Sequence, residues 1–216
     1  GSRVALFPYL INEGACALPT ENELKKKAPM LYDYLSRVKH ELAKRLWFSQ
    51  TAEQLHGAWF AYMYFKPENF KTKLIVTPAL VNTTRFALAE GEVLFTLGTA
   101  GVFGVATKSD SYFVLGILNS KIANFAIKRL APEKRGGYFQ INSKVLSKIP
   151  IKLPTNKKEE AIAAKITEKV KEILKLKKKD KNADTGKLES EIDNLVFELY
   201  GITPEERRII EKAVET

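Results

Sequence analysis

The chain has 216 residues, 45% of them apolar, and a formal net charge of +10, which is long enough for one large domain or a domain with an appendage and apolar enough for a packed core. No eighteen apolar residues run uninterrupted, and the N-terminus lacks the charged-then-apolar layout of a secretory leader, so neither a membrane span nor export is expected and the chain reads as cytoplasmic. Cys16 is the sole cysteine, and His40 and His56 are the sole histidines; this excludes an intrachain disulfide and a Cys/His zinc cage, and neither histidine sits in a local nucleophile motif.

Gly1-Ser2 has the look of a remnant of tag cleavage, and Arg3-Val4-Ala5-Leu6-Phe7 starts in mid-pattern, so a piece of a longer polypeptide is expected. Leu31, Leu35, Val38, Leu42 and Leu46 recur at helical spacing behind Pro29, predicting a short turn and then one helix over 29 to 46. From Trp59 the character changes to short β-prone runs at 59 to 65, 73 to 77, 85 to 88 and 93 to 96, punctuated by Pro67, Pro78, Asn82 and Gly91. Gly98, Gly101 and Gly104 lack the dinucleotide-binding spacing and read as turn and bulge geometry. Behind Asp110, apolar residues at 114, 115, 118, 122 and 125 predict one largely buried helix ending near Arg129. A flexible loop over 131 to 137 follows, then Tyr138-Phe139-Gln140-Ile141 and an edge or exit strand at Ile149-Pro150-Ile151.

Beyond Pro154 the pattern is wholly helical. Ile162, Ile166, Val170, Ile173 and Leu174 form one stripe, and Leu188, Ile192, Leu195, Val196 and Leu199 a second after a polar break. Gly201 stands at a C-cap position, and Thr203-Pro204-Glu205-Glu206 opens a last helix. The expected fold is therefore α+β: a mixed, largely antiparallel sheet of short strands with packed helices over 3 to 153, followed by a helical hairpin over 154 to 216.

The charge is unevenly placed. Residues 121 to 152 hold Lys121, Lys128, Arg129, Lys134, Arg135, Lys144, Lys148 and Lys152 against Glu133 alone, whereas residues 182 to 216 hold four bases against nine acids. A polyanion would be drawn to the first segment and repelled by the second, and the cations of 121 to 152 are expected to converge on one electropositive surface. Within it, Lys134-Arg135-Gly136-Gly137-Tyr138-Phe139-Gln140 combines cations for phosphates, glycines for close backbone approach and an amide able to pair with an adenine edge. Lys128, Arg129, Lys134, Arg135, Gly136, Tyr138, Gln140 and Asn142 are the main candidates for DNA contact. Lys66, Asn69, Lys71 and Lys73 form a second candidate cluster, although lysines guarding an edge strand explain it equally well. Leu118-Asn119-Ser120 reads as packing plus a polar bond to backbone. An RNA-binding module, and an assembly subunit without a nucleic-acid role, both remain open on these residues alone.

Several strings taken together resemble the TaqI-like C-terminal specificity domain, found at the end of type II enzymes that combine adenine methylation with DNA cleavage. They are Phe7-Pro8-Tyr9-Leu10, Lys73-Leu74-Ile75-Val76-Thr77-Pro78, Arg85-Phe86-Ala87-Leu88, Ser111-Tyr112-Phe113-Val114-Leu115-Gly116-Ile117-Leu118-Asn119-Ser120-Lys121, Gly136-Gly137-Tyr138-Phe139-Gln140-Ile141 and Ile149-Pro150-Ile151. The string from Leu188 to Thr203 resembles the helical segment such enzymes carry after the domain. The resemblance implies a sequence-specific double-stranded DNA recognition module in phage defence, with the helices beyond 154 as a spacer whose apolar stripes need a partner. That partner could be each other, helices of the methylase part, or a second copy forming a homodimer.

The resemblance also implies where the chemistry lies. The Asn-Pro-Pro-Tyr motif of amino-methyltransferases does not occur in this sequence, and the one Glu-x-Lys triplet, Glu23-Leu24-Lys25, has no Asp upstream of it. No cofactor is therefore expected on these residues; S-adenosylmethionine and Mg belong to other parts of the parent chain. Abundant Lys and Glu with only three Gln point to a thermophilic source.

Overall fold

A computed structural model describes residues 5–13, 15–65, 67, 70, 73–91 and 101–215. The expected strand at 93 to 96 and the glycine-containing residues 98 to 100 lie outside that set. The chain divides into two compact units at 71/72, and all strand pairs among the described residues are antiparallel. No helix among them is long and apolar enough to cross a membrane.

The first unit opens with the hairpin β1 (Leu10–Asn12) and β2 (Ala15–Ala17). α1 (Glu21–Lys27) follows, closed by a reciprocal Thr20–Glu23 capping box. The helix expected over 29 to 46 is broken: α2 (Pro29–Arg37) stops at Val38, whose backbone is not helical, and α3 (Lys39–Ala43) restarts after it. Leu46 belongs to a strand, β3 (Leu46–Trp47), paired with β4 (Gln50–Thr51) ahead of α4 (Ala52–His56).

The run at 59 to 65 forms no strand. Trp59, Phe60 and Ala61 are buried one after another rather than in alternation, and the Arg45 guanidinium donates to the Trp59 and Ala61 carbonyls at 3.3 and 3.0 Å. Those acceptors are thereby taken from any ladder. The core here is Leu24, Leu35, Ala52, Ala58 and these three residues, beside a stack of Phe7, Tyr9, Tyr62, Phe65 and Phe70 rings.

In the second unit β5 (Lys73–Pro78) lies between β7 (Ala87–Glu90) and β8 (Val102–Val105); the glycine-rich stretch expected to be a turn thus supplies a strand from Val102 onward. Between β5 and β7 the chain forms β6 (Leu80–Val81), which joins a different sheet. α5 (Ser111–Leu118) begins at its Asp110 N-cap as expected. It does not run on to Arg129, because Ser120 adopts an extended backbone and caps a new helix, α6 (Lys121–Leu130), with its hydroxyl. Then come β9 (Glu133–Lys134), β10 (Tyr138–Gln140) and α7 (Ser143–Leu146). The segment 149 to 151 pairs with no strand among the described residues; the Tyr200 hydroxyl donates to the Pro150 carbonyl at 2.7 Å and accepts the Lys152 N–H at 2.9 Å, holding it instead. α8 (Lys157–Lys179), α9 (Gly186–Tyr200) with Gly201 left-handed at its end, and α10 (Pro204–Glu215) complete the chain.

α5 is buried from Phe113 through Leu118, between β5 and the tail helices. Its contact with α8 is set by Gly116: a Cβ there would lie 2.5 Å from Ile166 Cγ2 and 3.1 Å from Val170 Cγ2. Ile and Val in a helix hold one χ1 rotamer and cannot swing aside. The apolar stripes of α8 and α9 are covered by α5 and by each other: Ile162, Ile166, Val170, Ile192, Val196, Phe197 and Leu199 all lie in the core that contains Phe113, Ile117 and Ile75. That core runs uninterrupted through position 153/154, where the sequence reading sets a domain boundary. Replacing Gly116 by Ala is expected to destabilise the chain by about 1–3 kcal/mol, the usual magnitude for an overpacked core, read as a lower urea midpoint at unchanged slope.

Candidate nucleic-acid interface

The loop expected over 131 to 137 is an ordered β-hairpin. α6 ends at buried Ala131, and the Pro132 carbonyl accepts the Gln140 N–H at 2.9 Å. Glu133 then faces Phe139 and Lys134 faces Tyr138, so Arg135-Gly136-Gly137 makes a three-residue connection. Gly136 and Gly137 sit at φ of 80° and 72°, in the left-handed region that costs a side chain with a Cβ about 1–2 kcal/mol per residue. At the hairpin base β10 pairs with β6, Phe139 against Val81, and the Ile141 N–H donates to the Ala79 carbonyl at 2.8 Å.

Register decides what the hairpin presents. Phe139 packs against the core opposite buried Val81, so strand alternation sends Lys134, Tyr138 and Gln140 to the other, outward face. Residues 132 to 138 are exposed throughout. The side chains of Lys134, Arg135, Tyr138 and Gln140 make no hydrogen bond or ion pair among the described residues. Five sequence candidates are thus brought together: Lys134, Arg135, Gly136, Tyr138 and Gln140.

The remaining cations of 121 to 152 do not all converge. Lys121 pairs with Glu211 at 3.4 Å, and its backbone N–H, the first of α6, donates to the Asp193 carboxylate at 2.8 Å. Burial pushes the Asp193 carboxyl up, against the pull of that N–H. Lys128, a candidate for DNA contact, donates from Nζ to the Ala213 and Val214 carbonyls at 3.1 and 3.4 Å, where the C-terminal end of α10 is partially negative. Lys152 donates to the Leu199 carbonyl at 2.7 Å and pairs with Glu159 at 2.8 Å; together with the Thr155 N–H and hydroxyl it holds the Glu159 carboxyl down to about 2. The expectation of one convergent surface therefore fails for Lys121, Lys128 and Lys152, since the acidic tail folds onto them. Arg129 is exposed over the Phe125 ring at 5.2 Å, and Lys144 and Lys148 are exposed on and just after α7. Asn142 is the N-cap of α7, accepting the Val145 N–H at 3.0 Å, a structural task that explains its presence.

Of the second cluster, Lys66, Asn69 and Lys71 lie outside the described residues. Lys73 is 3.3 Å from Glu90 on the neighbouring strand and sits over the Tyr112 ring at 4.5 Å. β5 is the central strand of its sheet, so Lys73 is not the edge-strand guard that the alternative reading allowed.

With this geometry in place the comparisons with known proteins are decisive. A model of the TaqI-like C-terminal specificity domain matches residues 22 to 151, well over half of the chain. The chain belongs to that family. Among solved structures, the specificity domain is similar to the Type IIL restriction-modification enzyme MmeI, whose structure was determined in complex with DNA. The TM-score is 0.61 at 12% identity over 93% of this chain, which spans 28% of the length of the enzyme's chain. No curated protein matches the sequence.

The family match ends at Ile151, while the core of the specificity domain continues into α8 and α9. Two parts of the surface escape a reading of the sequence. β6 is only two residues long and follows Pro78-Ala79, so no alternation could announce it. Asn119 shows its backbone role in the sequence but not its target, which is Phe86. A structural cation and a surface one should separate experimentally: Lys128→Ala is expected to lower stability by about 1 kcal/mol through removal of the bonds to the α10 carbonyls, and Lys134→Ala to stay within about 0.5 kcal/mol of the parent, both read by urea denaturation.

Proposed function

We propose that this specificity domain recognises a short sequence in double-stranded DNA as part of a restriction-modification enzyme whose catalytic centres lie elsewhere in a longer chain. The observation that carries the reading is the outward face of the β9–β10 hairpin. Lys134, Tyr138 and Gln140 stand side by side on paired strands, Arg135 and two left-handed glycines close the tip, and no intramolecular partner claims those side chains among the described residues. A two-stranded ribbon fits the roughly 12 Å wide major groove of B-DNA. There the cations would engage phosphates and fix register, while the Gln140 amide has the donor and acceptor needed to pair with adenine N7 and N6. Support comes from family membership and from the fold likeness to an enzyme solved with DNA bound.

The parent is read as an S-adenosylmethionine-dependent adenine methyltransferase, with a Mg-dependent nuclease where it also cleaves, acting in the cytoplasm in defence against phage. The methyltransferase part would be the principal protein partner. A homodimer through the tail is less favoured, because the stripes of α8 and α9 that a second copy would have covered are already buried within this chain.

Titration of the 216-residue chain with duplex DNA, single-stranded RNA and heparin at two salt concentrations tests the reading. Duplex binding that is sequence-dependent and steepens at low salt supports it, whereas equal binding to all three ligands overturns it. Replacing Lys134 and Arg135 together by Ala is expected to weaken duplex affinity and to reduce the logarithmic salt slope by about 2, since each phosphate left without its cation removes about 0.9 from that slope; an unchanged slope would remove the hairpin from the interface.

A further inference from the structure

We infer that the loop of Asn82, Thr83, Thr84 and Arg85 is a second sequence-reading element beside the hairpin, with Arg85 as its base-contacting residue. The inference rests on the reading of the chain as a duplex-recognition domain. β6 leaves its sheet at Val81, whose register partner is Phe139, so Asn82 emerges level with Tyr138 on the neighbouring strand. Asn82, Thr83 and Arg85 are exposed, and Phe86 then returns to the core.

A four-residue surface link needs little more than its two ends held, yet this one is fixed by side chains from two helices. The Asn119 amide accepts the Phe86 N–H at 2.9 Å and donates to the Phe86 carbonyl at 2.9 Å, acting as a strand partner would. Thr84 Oγ1 donates to the Asn119 carbonyl at 3.4 Å, and Asn124 Nδ2 donates to Thr83 Oγ1 at 3.0 Å. Asn124 is buried, and its Oδ1 has no partner among the described residues. Keeping that amide leaves one acceptor unsatisfied, which a link without a further task has no reason to retain.

The clamps hold the backbone while leaving the functional group free. Arg85 has neither a hydrogen bond nor an ion pair among the described residues, in contrast to Arg45 and Arg207, which are engaged within the fold. A fixed backbone reduces the ordering cost of docking such a side chain. The planar guanidinium fork matches guanine O6 and N7 in the major groove, a match that an ammonium group cannot reproduce.

The test is enrichment of binding sites from a random-sequence duplex pool by the unaltered chain, Arg85→Ala, Arg85→Lys and the Lys134/Arg135 double-alanine variant, with equal melting temperatures confirmed first. Arg85→Ala is expected to select the parent's consensus with one or two positions degenerate, and to lose roughly five- to 150-fold of the discrimination at those positions. Arg85→Lys should keep the overall affinity and lose the same positions. An unchanged consensus for Arg85→Ala, or a loss of affinity uniform across sequences, overturns this inference while leaving duplex recognition intact. Failure of the unaltered chain to enrich any sequence overturns both readings.

Discussion

Gly116 allows two helices to lie closer than any other residue would permit, and the second unit is organised around that approach. α5 carries six consecutive buried residues, so it needs apolar neighbours all round; β5 supplies one side and α8 and α9 supply another. The missing side chain brings Ile166 and Val170 directly onto the α5 backbone. The same helix ends at Asn119, which fixes Phe86 at the exit of the 82 to 85 loop, and α6 runs straight into the hairpin. Packing in the interior therefore reaches the hairpin and the 82 to 85 loop through two short covalent connections.

The charge asymmetry of the sequence acquires a different meaning in the fold. Basic middle and acidic end look like surfaces for different partners, but a share of each is used to dock one on the other: Lys121 with Glu211 and, through its backbone N–H, with Asp193, Lys152 on the Leu199 carbonyl, Lys128 on the end of α10. Of the cations in 121 to 152, those without a hydrogen bond or ion pair among the described residues are Lys134 and Arg135 on the hairpin, Arg129 at the end of α6, Lys144 on α7 and Lys148 just after it; Arg85, on the adjoining loop, is likewise unpaired. Net charge per segment measures neither; only the pairing pattern separates cations that hold the protein together from cations available to phosphates.

Legibility follows the range of the interactions involved. The tail is readable almost residue by residue because its signals are local: helical spacing, Gly201 at a left-handed cap, the Thr203–Glu206 capping box. The hairpin residues are recognisable by their chemistry, but their rigidity is not, since the pairing that stiffens them comes from Leu80 and Val81, nearly sixty residues upstream. Where a polar group acts against the local pattern, the sequence misleads. Arg45 removes the carbonyls a strand at Trp59 would need, Ser120 divides a helix whose apolar face continues through it, and Asn142, whose amide suits a base edge, caps α7.

The tail helices share one core with the strands and helices that carry the hairpin and the 82 to 85 loop, so they form one cooperative structure. Native-state hydrogen exchange along a denaturant series measures this directly. Amides of α5, α6, α8 and α9 are expected to converge on a single opening free energy and a single denaturant dependence. Opening of α8 and α9 at distinctly lower denaturant, with α5 still protected, would contradict it.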